Sequence, residues 1–202
     1  MLEAAWALVR EGGYPAATIE AIAARSGVAT TTIYWRWPNR AALLVDLLVQ
    51  KATAEAPPPS GRDPLRALRT ELREVARAAD DVTGRLLASL LGEAHHDPGI
   101  HAALMRCVFV PRRKATAQVI LQAQRSGVLR AGVPPLIAVD LFFGPLFYRR
   151  FVRHEPVGEG FVTQVFDHVL EGLAQAGRPA AHPGSVRRKG GAGAHRTGTR
   201  RR

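Results

Sequence analysis

Between Thr18 and Arg40 the chain reads TIEAIAARSGVATTTIYWRWPNR, an order of residues that few folds accommodate. Thr18 precedes Ile19, Ile22 and Ala23 at helical spacing and is suited to cap that helix. Gly27 falls where the helix must stop with positive φ, and Val28 follows as a buried turn residue. A second helix begins near Thr30. Pro38 ends it, because proline disfavours helix at Trp37 and has no N–H to donate. Pro38 also suits the first turn of a following helix, Asn39 to about Ala54. Upstream, Leu2, Ala5, Trp6, Leu8 and Val9 predict a helix over Met1 to Glu11 that ends at Gly12-Gly13. The expected unit is a helix-turn-helix in which three helices share a small core.

The second helix of the motif has an unusual outer face. At about 100° per residue, Ile33 and Trp37 share the inner side. Thr31, Thr32, Tyr34 and Trp35 then occupy the opposite arc, with Thr30 and Arg36 on its flanks. Hydroxyls and large aromatics without Glu or Lys make a poor face for water. They suit a duplex groove, where hydroxyls bond phosphates and bases, and apolar atoms meet thymine methyls. Thr31, Thr32 and Trp35 are the candidates for base edges, Thr30 for a base or phosphate, and Thr18 for a phosphate contact while it caps. Arg36 is a further candidate DNA contact.

GGYPAATIEAIAARSGVATTTIYWRWPNRAALL resembles the DNA-binding domain of the TetR family of bacterial transcriptional regulators. The likeness is carried by Gly13-Tyr14, Thr18-Ile19, Ile22-Ala23, Gly27-Val28, Thr32-Ile33-Tyr34 and the exit Trp37-Pro38-Asn39-Arg40. The remainder is similar, less sharply, to the regulatory half of a subgroup common in actinobacteria, through Leu90–Ala94, Asp97-Pro98, Pro111–Arg113, Gly127–Arg130 and Gly144–Arg149. The resemblance implies that Tyr34 gives its hydroxyl to a phosphate and that Arg40 clamps the DNA backbone beside the fourth helix. It also implies a homodimer and a small-molecule effector that releases DNA. Two features depart from the pattern. Relatives carry several residues ahead of the first helix, whereas Met1 already opens within it, and Trp35 stands where many have a polar or charged residue.

Charge has to be partitioned before it bears on this reading. The formal net charge is +11, yet residues 1–51 hold five Lys/Arg against four acids, and residues 178–202 hold eight basic residues and no acid. Most of the basicity is therefore in the tail, whose Gly, Ala and Pro content predicts disorder. A solvated extension is the expected status of that tail; a nonspecific electrostatic arm on DNA is the alternative. The single Cys107 cannot form an intrachain disulfide. Met1 opens an amphipathic pattern with Glu3 rather than a secretory leader, and the apolar stretch Val133–Tyr148 is too short to span a bilayer. The expected location is the cytoplasm, with no membrane partner.

The rest of the chain reads as helices, so the fold class is all-α with about nine helices in total. Residues 1–54 form the expected DNA-binding domain, 55–61 a linker, 62–177 a ligand-binding and dimerisation domain, and 178–202 the tail. Asp63-Pro64 starts a helix to about Ala79, whose stripe Arg62, Arg66, Arg69, Arg73 and Arg77 is expected to face solvent. Helices follow over Val82–Ala94, from Asp97-Pro98, over Pro111–Ser126, over Leu136–Val152 and over Phe161–Ala174. The last two have apolar arcs so wide that each needs cover on two sides. A second copy is the economical cover, with Leu141, Phe161, Val165, Val169 and Leu173 as candidate interface residues.

An apolar cavity between these helices has Met105, Cys107, Phe109, Phe142, Phe147 and Tyr148 as candidate walls and His96 and Arg149 as polar anchors. Glu93-x-x-His96 has a di-iron spacing, but no second such motif occurs in the chain. No nucleophile–base set or phosphate-cradling Gly loop appears. No enzyme activity, metal or cofactor is expected. The expected function is a repressor that binds a palindromic operator in double-stranded DNA, with an architectural, effector-free DNA-binding protein as the alternative.

Overall fold

The structure is a computed structural model and describes residues 1–174; the basic tail lies outside the described residues. Ten α-helices run α1 Leu2–Ala16, α2 Ile19–Ser26, α3 Thr30–Arg36, α4 Arg40–Glu55, α5 Pro64–Asp80, α6 Val82–Ala94, α7 Pro98–Leu104, α8 Val110–Arg125, α9 Pro135–Phe147 and α10 Glu159–Leu173. A π-turn, Met105–Phe109, joins α7 to α8 without a break, so nine separate rods are packed among the described residues. Pro111 was expected to open a new helix. It is instead carried inside the α7–α8 rod, because the wider π-turn just before it absorbs the carbonyl that its ring would meet. A second π-turn, Tyr148–Val152, follows Pro145 at the end of α9.

Two other boundaries differ from expectation. The first helix does not end at Gly12-Gly13: Gly13 takes φ 71° and kinks the chain, and one more turn runs to Ala16. Pro38 lies outside α4, whose start is capped by Asn39, the Oδ1 accepting from the Ala42 N–H at 2.8 Å. A capping side chain satisfies an orphan N–H that proline could not help.

The N-terminal helices do not close a core of their own. Ile22, Ile33, Trp37, Leu43, Leu44, Leu47 and Leu48 are buried in one cluster with Leu86 and Leu90 of α6 and Ile100 and Leu104 of α7. A second cluster joins α5, α8, α9 and α10, centred on Phe142 and Phe166 with ring centroids 5.5 Å apart. The arginine stripe of α5 is only partly solvated. Arg69 pairs with Asp167 at 2.7 Å and lies over the Phe166 ring, and Arg73 reaches Glu159 at 3.4 Å. These guanidiniums cover α10, because their long stems can lie along apolar surface.

A polar knot ties the end of α4 to the second cluster. Glu71 of α5 is 1% exposed, and both its carboxylate oxygens accept from Thr116 Oγ1, at 2.9 and 3.0 Å. Arg112 Nε meets the same carboxylate at 3.3 Å, while Arg112 Nη2 donates to the Ala56 carbonyl just past α4. Burial pushes the Glu71 carboxyl up to about 6, against the opposing pull of Arg112 and Thr116 and with a further push from Glu74. The folded chain therefore holds a proton between pH 4.5 and about 6 that the unfolded chain has released. This contribution favours the fold most below pH 4.5 and is lost as pH rises through 6. Relative to wild type, Glu71→Gln should gain about 2 kcal/mol of stability between pH 4 and pH 7. Urea unfolding at the two pH values measures it; parallel profiles would overturn the assignment.

Candidate nucleic-acid interface

The two sides of α3 differ as its residue order requires. Ile33 is fully buried and Trp37 is 4% exposed, while Trp35 is 92% and Tyr34 49% exposed. Thr31, Thr32 and Arg36 are exposed as well, and Thr30 is half-buried at the helix start. Trp37 Nε1 donates to Asp46 Oδ2 at 2.8 Å, which satisfies the buried indole and fastens the exit of α3 to α4. Gly27, at φ 68°, closes α2. Thr18 Oγ1 accepts from the Ala21 N–H at 3.1 Å, so its own hydroxyl proton remains to be donated. The Arg36 guanidinium lies 4.8 Å from the Trp37 ring centroid. Arg25 chelates Glu11 at 2.5 and 2.6 Å and, by that hydrogen bonding, holds its carboxyl below the usual range.

Arg40 makes contacts within the protein beyond the DNA-backbone role that the resemblance implies. Its Nη2 donates to the Tyr14 carbonyl at 2.8 Å, its guanidinium lies 4.0 Å from the Tyr14 ring centroid, and its Nε is buried without a partner. The side chain braces the kink after Gly13 against the start of α4 and acts there as a strut. A carbonyl 26 residues upstream leaves no trace in local spacing.

A cavity of about 270 Å³ opens between α5, the first π-turn, α8 and α9. Met105, Phe109, Phe143 and Phe147 supply apolar walls, and Arg112, Arg113, Thr116 and Asp140 supply its polar groups. Of the expected lining residues, Met105, Phe109 and Phe147 are in place. Phe142 is fully buried in the core, because its neighbour Phe143 takes the cavity side of α9. His96 is exposed at the end of α6, and Tyr148 is 59% exposed. Arg149 is held outside the cavity by Glu155 at 3.2 Å and the Pro156 carbonyl at 2.8 Å. Cys107 lines a different crevice, beside Ala56 and Pro111. Arg112 and Glu71 were not among the expected site residues. The available signal was an acid one turn beyond Leu68 and one turn short of Val75, on the apolar side of α5, where a partner had to be buried with it.

Residues 1–47 match the family described as bacterial regulatory proteins, tetR family, and residues 57–169 match the family described as tetracyclin repressor-like, C-terminal domain. The chain belongs to the TetR family. It is 28% identical to the HTH-type transcriptional regulator YdeS of Bacillus subtilis, over 86% of this chain and 87% of that one. It is 30% identical to the HTH-type transcriptional regulator Rv1556 of Mycobacterium tuberculosis, over 81% of this chain and 80% of that one. Among solved structures, the TetR family transcription regulator SCO0332 superposes with a TM-score of 0.75 at 29% identity, over 86% of this chain and 96% of that one. The protein is thus a helix-turn-helix transcriptional regulator.

This TetR-family chain leaves one long apolar stripe uncovered. Ile137, Leu141, Tyr148 and Val152 are 51, 43, 59 and 62% exposed along one side of α9 and its π-turn. Leu173, expected in an interface, is 4% exposed within the second core instead, and Phe161, Val165 and Val169 are half-buried against that same core. The two apolar stripes of α10 thus turn largely inward, because α5 and α9 both pack on it. No helix among the described residues is long and apolar enough to cross a membrane.

The Arg40 strut has a measurable consequence. Arg40→Ala should cost about 2 kcal/mol of folding stability through loss of a charged hydrogen bond and of the ring contact. Thermal unfolding without DNA reads it, and an unchanged midpoint would show that the side chain is not a strut.

Proposed function

We propose that the protein is a homodimeric repressor that binds a palindromic operator and releases it when a small molecule fills the cavity between α5, α8 and α9. The observation that carries the DNA half of this reading is Trp35. A tryptophan 92% exposed on a helix otherwise anchored by Ile33 and Trp37 has no part in holding the fold. Thr31, Thr32 and Trp35 meet base edges and thymine methyls in the major groove, with Thr30 at the entry to the helix. Tyr34, Thr18 and Arg36 give donors to phosphates and set the register.

The exposed stripe of α9 supports the dimer, since four large apolar residues on one helix face are costly in water. Leu141 stays in the proposed interface, joined by Ile137, Tyr148 and Val152. Two-fold symmetry then presents two α3 helices to two half-sites. A dimer seated across a promoter blocks access to it, and a ligand that favours a misfitting spacing of the two α3 helices releases the site.

Footprinting on the DNA flanking its own gene tests the reading. One palindrome should be preferred by about 10³-fold or more over random duplex at physiological salt. Equal affinity for all duplexes would favour the architectural alternative. On the footprinted site, Trp35→Ala should cost about 1–3 kcal/mol and relax the sequence preference, without changing the unfolding midpoint.

A further inference from the structure

Arg112 stands at the meeting point of the cavity and the end of α4. It lines the cavity and also the crevices beneath α4, where Ala52 and Ala56 lie. It grips Glu71 on one side and the Ala56 carbonyl on the other. Ala56 is 1% exposed, so its carbonyl has little access to water if that grip is lost. The hydrogen-bonding capacity of the cavity wall is unequal. Its one carboxylate, Asp140, is paired with Arg113 at 2.7 Å, and Glu71, outside the lining, is already held by Thr116 and Arg112. Donors remain in excess: two guanidiniums carry five N–H groups each, and the Arg113 Nε has no partner. Phe109, Phe143 and Phe147 surround these donors with aromatic surface.

We propose that the effector is an aryl-alkyl carboxylate, and that it acts by taking Arg112 away from the Ala56 carbonyl. This rests on the effector reading of the cavity given above. A carboxylate outcompetes a neutral carbonyl for a guanidinium, because the pair is charge-assisted and can be bidentate. The abandoned carbonyl is then buried and unpaired, and the last turn of α4 shifts to find another partner. Movement of α4 carries α3 with it through the Trp37–Asp46 hydrogen bond. By reciprocity, an operator that holds α4 in place weakens the acid.

A matched pair of probes, 4-phenylbutyrate and 4-phenylbutan-1-ol, separates charge from shape. In titration calorimetry on the full chain, the acid should bind at least about tenfold more tightly than the alcohol. The acid alone should speed amide hydrogen exchange at Ala54–Ala56 by about tenfold or more. In the double variant Glu71→Gln/Arg112→Met, which removes both partners of the ion pair together, the preference for the acid should vanish. If the acid and the alcohol bind equally, the carboxylate anchor is overturned and the cavity reading survives. If the acid binds more tightly but leaves exchange at the α4 end unchanged, the coupling is overturned. If neither probe binds, the proposal is overturned, and direct titration of a neutral arene of the same length then decides whether the cavity reading falls with it. Should the double variant fail to fold, the two wild-type measurements decide the matter alone.

Discussion

The burial of α4 on two sides is the constraint on which the rest of this molecule depends. Leu43, Leu44, Leu47 and Leu48 are each no more than 1% exposed, and they share one cluster with Ile22 and Ile33 on the N-terminal side and with Leu86, Leu90, Ile100 and Leu104 beyond. A helix packed in this way cannot move independently of either neighbour, because close-packed interiors transmit displacement instead of absorbing it. The angle at which α3 is presented is thus decided in part by α6 and α7.

Polar contacts finish what the leucines begin, and they gather at the helix ends, where backbone groups lack partners. Asn39 caps α4, Thr18 caps α2, and Arg112 takes the carbonyl just past α4. Trp37 and Asp46 join α3 to α4, and Arg40 joins α4 to the bend behind Gly13. The outer face of α3 is left out of every one of these attachments. Its Thr31, Thr32, Tyr34 and Trp35 are held in position from behind and kept free in front.

Inner and outer residues of α3 were legible from the sequence because helical periodicity is local: Ile33 and Trp37 fall inward and Trp35 outward on any backbone with 3.6 residues per turn. The caps at Asp63 and Asp97 were legible for the same reason, each carboxylate reaching N–H groups two and three residues on. The cavity was legible only in part. Met105, Phe109 and Phe147 line it, but Phe142 and Phe143 are adjacent apolar residues on a helix that is apolar on most sides, and periodicity cannot choose between them. Arg149 and Tyr148 were misplaced because the π-turn over Tyr148–Val152 changes the angular register there.

The residue order thus determined by itself the all-α class, the helix-turn-helix and the facing of α3, since each depends on contacts within a few residues, and its motif residues carried the likeness to the family. Only the tertiary structure decided that the N-terminal helices share their core with α6 and α7, that Arg40 is committed to Tyr14, and that Leu173 faces inward while Ile137 and Val152 do not. It also decided that Glu71 and Arg112, 41 residues apart, meet at the end of α4. These are choices among partners far apart in the chain, and a local pattern states what a side chain needs without saying which distant group supplies it.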